Sequence, residues 1–340
     1  MGGGRAPALE ISELSVELSI GGRWVQALDR VSLTIERGEV LGLVGESGSG
    51  KSLTALSIAG LLPDNARVVG GSIRLVGEDV LGRSEQALNR LRARSVALVF
   101  QNPTSYLNPV LTIGDQIVEI FDLNPELLET AGARTTRGRR REAWRRSVEA
   151  LRLVRIPDPE RVARRYPFEL SGGMQQRVVI AMALVRQPHL VIADEITTAL
   201  DVTVQAQILS LLAELRRTVG LTLLLITHDM GIVAQLADRV VVMYSGSVVE
   251  CADVRTLFKS PRHPYSRALL ETVPTIDGGC TVFRPIRGAM PALTDPPPGC
   301  RFHPRCPEAF DECARRKPEP LTIGRGHIAA CHRYTDARNQ

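Results

Sequence analysis

Leu170-Ser171-Gly172-Gly173-Met174-Gln175-Gln176-Arg177 is the stretch on which the reading of this chain turns. A serine followed by two glycines and a helix-forming run is a helix start. Its first backbone N–H groups stay open to an anion. Alone, it is an ordinary capping pattern. Its partner motif lies roughly 120 positions upstream, where Gly45-Glu46-Ser47-Gly48-Ser49-Gly50-Lys51-Ser52 has the Gly-x-x-x-x-Gly-Lys-Ser spacing of a phosphate loop. Gly45, Gly48 and Gly50 permit a tight loop whose N–H groups, with those of Ser47 and Ser49, point at phosphates. Lys51 is placed to neutralise the β- and γ-phosphates of a nucleoside triphosphate, and Ser52 to ligate Mg²⁺.

Working outward, four apolar runs each end in a group suited to phosphate chemistry. Val40–Val44 leads into the loop, Val96–Phe100 into Gln101, Leu190–Ala193 into Asp194-Glu195, and Leu221–Thr227 into His228. Nearly continuous apolar runs suit parallel strands buried on both faces. Ligands bind at the carboxyl ends of such strands, so the four groups are expected at one sheet edge. Asp194 is suited to hold Mg²⁺ through water. The pattern predicts an α/β fold, with Val202–Arg217 as the helix of a strand–helix–strand unit and Lys51–Leu62 as the helix after the loop. Ser12–Ser19, Val31–Ile35 and Ser72–Val76 read as further strands, the first two antiparallel. From about Asn102 to Arg186 the pattern is helical and polar.

The two motifs together closely resemble those of the ATP-binding cassette (ABC) family, over roughly residues 9–258. That resemblance implies a P-loop NTPase nucleotide-binding domain: a RecA-like core, an antiparallel β subdomain and a helical signature subdomain at about 102–186. It implies that Glu195 is the general base, that Gln101 senses Mg²⁺ and the attacking water, and that His228 is the γ-phosphate switch. Asp201 matches the loop that communicates across a dimer. Trp24, 27 residues before Lys51, matches the aromatic that stacks on adenine; an exposed hairpin tryptophan is the other reading. Leu170, Ser171, Gly172, Gly173 and Gln175 would grip the ATP held by a partner subunit. Two subunits would then sandwich two ATPs, and one copy would hold no complete site. Ile196 stands where related peptide transporters usually have proline, and Phe168 where many have histidine. Neither departure removes a reacting group.

Segments outside the nucleotide motifs are similar to one subfamily, the oligopeptide, dipeptide and nickel importers. They are Phe100-Gln101-Asn102-Pro103 with Leu107-Asn108-Pro109, Tyr166-Pro167, His263-Pro264-Tyr265, and Pro298-Gly299-Cys300-Arg301-Phe302-His303-Pro304-Arg305-Cys306-Pro307. The resemblance implies an ATPase subunit that powers uptake of dipeptides or oligopeptides, with nickel or another small solute as the alternative cargo. The implied partners are a second ABC ATPase, identical or paralogous, two transmembrane permeases and an extracytoplasmic substrate-binding protein. The implied location is the cytoplasmic face of the cell membrane.

Composition bounds these readings. At 340 residues, 44% hydrophobic and 23% charged, the chain is an ordinary globular one of about two domains. No apolar run reaches the roughly 18 residues of a membrane span, so a membrane role must come through partners. Residues 1–8 are Gly-rich, with no signal-peptide pattern, and read as a frayed start. The net charge of +5 mildly favours anionic partners. A cassette protein acting on DNA or ribosomes is therefore a competing class, but such proteins usually carry paired cassettes or a coiled-coil insertion. This chain has one cassette and no heptad array, so no nucleic-acid partner is expected. Arg134–Arg146 holds seven arginines; it is either a solvated helix face or a contact for a membrane partner or anionic lipid.

Residues 259–340 hold 12 of the 21 prolines and five of the six cysteines. This segment reads as a loop-rich appendage with its own means of holding together. Cys300, Cys306, Cys313 and Cys331 lack the paired C-x-x-C spacing of a zinc ribbon. A cytosolic ATPase is not expected to hold stable disulfides. Four thiolates could ligate a [4Fe–4S] cluster, as related extensions do; Zn²⁺ and unligated thiols are the alternatives, and His303 or His332 could replace a thiolate.

Overall fold

A computed structural model of the chain describes residues 6–100, 102–129, 135–197, 200–272, 275–277, 280–282 and 285–335. The first stretch forms β1 (Leu9–Ile20), β2 (Arg23–Ile35), β3 (Val40–Val44), α1 (Lys51–Ala59), β4 (Ala66–Leu75) and β5 (Glu78–Asp79). Next come α2 (Glu85–Ser95), β6 (Val96–Val99), α3 (Ile113–Leu123), α4 (Glu126–Glu129), α5 (Thr136–Leu153), α6 (Pro159–Val162), α7 (Gly172–Leu184), β7 (Leu190–Asp194) and α8 (Val202–Val219). The remainder holds β8 (Leu223–Thr227), α9 (Met230–Leu236), β9 (Arg239–Tyr244), β10 (Ser247–Asp253), α10 (Val254–Lys259) and α11 (Pro264–Glu271). Five short elements follow: β11 (Thr275–Asp277), β12 (Cys280–Val282), α12 (Asp311–Arg315), β13 (Leu321–Gly324) and β14 (His327–Ala329). The chain divides into two compact units, residues 1–83 with 223–340, and residues 84–222.

The first unit contains an antiparallel sheet in the order β2-β1-β4-β5. β1 and β2 form a long hairpin, paired from Leu9 with Ile35 to Ile20 with Arg23. Leu9, Ile11, Leu14 and Val16 are buried along β1. The same unit holds the strand order β13-β14-β10-β9-β3-β8. β3 is central and parallel to both β8 and β9. All five of its residues are buried, as its unbroken apolar run predicts. β10 returns antiparallel to β9, and β14 pairs antiparallel with β10 through Glu250–Ala329 and Cys251–Ile328. The tail thus adds strands to the core sheet, which its proline-rich sequence did not announce. The helix after the phosphate loop stops at Ala59, short of Leu62, because Gly60 takes the left-handed conformation (φ 62°).

In the second unit β6 and β7 are parallel, with Val99 opposite Ala193. Helices fill most of the rest. α3 buries Ile113, Ile117, Val118 and Phe121, spaced as one helical face. α8 runs from its cap at Asp201 to a left-handed Gly220 and buries Ile208, Leu209, Leu211, Leu212 and Leu215. The arginine-rich stretch forms α5. Arg137, Arg139, Arg140 and Arg141 are exposed on it, and Glu142 pairs with Arg145 and Arg146; Arg134 lies outside the described residues. Among the described residues, no helix is long and apolar enough to cross a membrane.

Candidate nucleotide site and cysteine cavity

The phosphate loop follows β3 in the first unit. Two glycines are required by space. A Cβ on Gly45 would run into the Met243 carbonyl, and one on Gly50 (φ 106°) would come within 2.7 Å of Leu28. Ser49 is fully buried, whereas Ser47, Gly48 and Ser52 are exposed. Lys51 is only 6% exposed. Its ammonium donates to the carbonyls of Gly45 (2.8 Å) and Glu46 (2.9 Å), within the loop it serves. Gly50 caps α1 without a side-chain acceptor, and the first turn carries no acidic residue. No side chain therefore caps the helix start, which turns the positive end of its dipole toward an anion. Parallel pairing sets Val44 opposite Thr227. That register brings the loop and His228 to the same end of neighbouring strands. Thr227 accepts from the Asp229 N–H (3.0 Å), and Asp229 caps α9, which pins the turn carrying His228. Trp24 lies on the β1–β2 hairpin, 43% exposed, with the Arg67 guanidinium 4.1 Å from its ring centre.

The second unit carries the remaining groups. Asp194, buried, ends β7. Glu195 follows with φ 52°, a left-handed conformation that costs a non-glycine residue of order 1–3 kcal/mol and recurs at functional sites. The register of β6 with β7 brings Phe100 to the same end as Asp194, and Phe100 stacks on Tyr106 (5.4 Å, 6°). Gln101, Thr198 and Ala199 lie outside the described residues.

Ser171 caps α7, its Oγ accepting from the Met174 N–H at 3.4 Å. Ser171 and Gly172 are exposed, as an anion-binding helix start needs. Leu170 is buried. Gln175 departs from the expected outward role: it is 8% exposed, and its amide donates to the carbonyls of Pro167 (2.8 Å) and Leu170 (3.3 Å). It fixes the chain's approach to the helix. Gly173 answers to packing. A Cβ there would stand 2.6 Å from Val204 Cγ1, one turn into the helix that Asp201 caps through the Val204 N–H (2.9 Å). Arg177 ties α7 to the Val154 carbonyl and to Gln207.

Sequence reasoning missed how the tail is anchored. Glu250, fully buried on β10, accepts from the N–H groups of Arg262 (2.7 Å) and His263 (2.8 Å) and pairs with His327 (2.7 Å). Burial pushes His263 down to about 3, so it is neutral; its Nδ1 accepts from the Tyr265 N–H. Phe302, from the tail, packs edge-on against Tyr244 (5.1 Å) and beside Tyr265 (5.3 Å). An acidic residue in a strand and aromatics in a loop gave no periodic signal.

Cys300, Cys306, Cys313 and Cys331 all line one small cavity of about 10 Å³, together with His303 and His332. Burial pushes the Cys300 and Cys306 thiols up to about 11 and raises that of Cys331. Among the described residues, no three His, Cys, Asp or Glu side chains are arranged to hold a metal ion. Cys251 is buried apart, beside Arg239.

Residues 28–198 match the family model described as ABC transporter. Residues 249–313 match that of the oligopeptide/dipeptide transporter C-terminal region. The chain is 47% identical over 329 residues to the oligopeptide transport ATP-binding protein OppD of Mycobacterium tuberculosis, covering 96% of this chain but 52% of that protein. It thus spans about half the length of the mycobacterial relative. It is 44% identical to the oligopeptide transport ATP-binding protein AppD of Bacillus subtilis, covering 96% of this chain and 97% of that protein. Among solved structures, the dimeric post-hydrolysis state of the ATP-binding cassette MJ0796, bound to ADP and Pi, aligns with a TM-score of 0.60 at 28% identity, over 73% of this chain and 99% of that one. CbiO1 of Clostridium perfringens, part of the transporter complex cbiONQ, aligns with a TM-score of 0.61 at 28% identity, over 75% of this chain and 91% of that one.

Proposed function

Because the chain belongs to the ABC transporter family and carries the C-terminal region of oligopeptide/dipeptide transporters, we propose that it is an ATP-hydrolysing subunit of a peptide importer. The peptide cargo rests on that C-terminal region, since nucleotide motifs are shared by cassettes of every cargo. The cassette would occupy residues 9–258, with its helical part at about 102–186, and the extension residues 259–340. The partners would be a second ABC ATPase, two permeases and an extracytoplasmic binding protein. The chain would work at the cytoplasmic face of the membrane, bound there through the permeases.

The reaction would run as follows. N–H groups of the Gly45–Ser52 loop and of α1 would cradle the phosphates, and Lys51 would leave its loop carbonyls to pair with the β- and γ-oxygens. Ser52, Asp194 and Gln101 would hold Mg²⁺, which when bound would supply charge neutralisation for the phosphates. Glu195 accepts a proton from the attacking water, while His228 contacts the γ-phosphate. Trp24 stacks on adenine. Ser171 and the N–H groups of Gly172 and Gly173 in a second subunit close over the γ-phosphate, so ATP joins the two cassettes and hydrolysis parts them. The dimeric MJ0796 cassette bound to ADP and Pi supports a pair of nucleotide-bound cassettes for a related chain. Asp201, capping α8 beside Gly173, would carry the state of one site to the other.

Cys300, Cys306, Cys313 and Cys331 would hold a [4Fe–4S] cluster, which supplies one-electron redox chemistry when bound. What supports this is the donor set: all four cysteines line one cavity, and four cysteine thiolates are the ligands such clusters take. Metal binding would deprotonate thiols that burial otherwise keeps neutral. Protein purified without oxygen should contain about four irons per chain and lose its colour when all four cysteines become serine; zinc without iron would overturn the cluster.

Cells lacking this chain test the function. They should lose uptake of radiolabelled oligopeptides and regain it with the wild-type chain, but not with Lys51→Ala. Restored nickel uptake with unchanged peptide uptake would replace the cargo, and unchanged uptake of both would sink the transport reading.

A further inference from the structure

The phosphate loop carries an acidic side chain, an awkward group beside a polyanion. Residues from beyond position 258 meet it. Arg305 donates from Nη1 to Glu46 Oε2 (2.7 Å) and from Nη2 to Glu46 Oε1 (3.0 Å), a two-pronged charge-assisted pair. The arginine side chain is 5% exposed and that of Glu46 30%. Arg305 is itself fixed: Nε donates to the Arg287 carbonyl (2.8 Å), and Nη1 also reaches the Tyr244 hydroxyl (3.3 Å). Glu46 is held at two further atoms. Its N–H donates to the Tyr265 hydroxyl (2.8 Å), and its carbonyl accepts from Lys51 Nζ (2.9 Å). The buried Tyr244, Tyr265 and Phe302 rings keep the 302–305 segment in register with the loop.

Two consequences follow from charge. Released, the Glu46 carboxylate would repel incoming phosphates and compete with them for the Lys51 ammonium, five residues away on the same loop. Paired with Arg305 it does neither. We propose that Arg305 is a positioning residue for ATP: by holding Glu46 it shapes the phosphate loop and keeps Lys51 available, which makes the C-terminal extension part of the nucleotide site. Arg305 touches no reacting atom and acts through Glu46. The inference rests on the ATPase reading above.

Equilibrium titration of the full-length chain with Mg-ATP tests it, with melting temperatures taken alongside. Arg305→Ala should weaken ATP binding on the order of tenfold, less than the full cost of breaking a buried pair because Glu46 is partly solvated. Arg305→Lys, which keeps the charge but not the fork, should lie between it and wild type. Adding Glu46→Gln to Arg305→Ala should restore most of the affinity, because the uncompensated charge is then gone. A folded Arg305→Ala chain that binds ATP like wild type overturns the proposal. So does a double variant no better than the single one, or destabilised equally with and without Glu46→Gln, since either outcome marks a merely structural role. Wild-type protein that binds no ATP would overturn the ATPase reading itself.

Discussion

Individual residues in this chain are set by conflicts between local preference and task. Glu195 holds a left-handed backbone (φ 52°) just after a buried strand, a conformation that costs a non-glycine residue free energy. His263 is the clearest case with a measurable consequence. Burial holds its folded value down to about 3, against about 6.5 in an unfolded chain. As pH falls below 6.5, the unfolded chain takes up a proton that the folded one refuses. Stability should then drop by about 1.4 kcal/mol per pH unit until pH 3, or about 2 kcal/mol between pH 7 and pH 5. Urea titrations at those two values should show this loss in the wild type and a shallower one in His263→Asn, which keeps a side-chain acceptor for the Tyr265 N–H. Equal slopes in the two proteins would remove His263 as the cause.

At the scale of elements, close packing of two helix starts decides what the signature can tolerate. Gly173 on α7 lies against Val204 on α8. Gly173→Ala should be destabilising. The overlap costs about 1–3 kcal/mol, and the helical preference of alanine returns at most about 1 kcal/mol. Val204→Ala in the same chain should recover most of the loss; a stabilised single variant in urea unfolding would show that the two helices do not meet so closely. These elements also show what the sequence could reveal. β3, β7 and β8 were legible because burial on both faces leaves an unbroken apolar run, and the phosphate loop because all its chemistry lies within eight residues. β14 was not legible: three residues long, it owes its strand conformation to the edge of β10. Nor was the Arg305–Glu46 pair, whose partners lie 259 positions apart, or the inward turn of Gln175, which depends on where Pro167 places its carbonyl. Local patterns record what neighbours in the chain must do, and contacts across the fold leave no such trace.

For the whole molecule, the two motifs on which the sequence reading turns fall to different units, the loop to the first and the signature to the second. Each is exposed where it would meet ATP: Ser47, Gly48 and Ser52 on one, Ser171 and Gly172 on the other. In the function proposed here each of them would be half of a site, completed by another cassette. The extension, through Arg305 and Tyr265, reaches the first half and gives the importer-type tail a place in ATP chemistry. Half-sites make assembly depend on ATP, and the mass of the full-length Glu195→Gln chain in solution measures that dependence most directly, with and without its companion ATPase. Mg-ATP should convert it to a stable pair of cassettes, while the wild-type chain should pair only transiently and separate as ATP is consumed. A chain that stays monomeric in saturating Mg-ATP under both conditions, yet hydrolyses ATP when Glu195 is intact, would contradict the shared site.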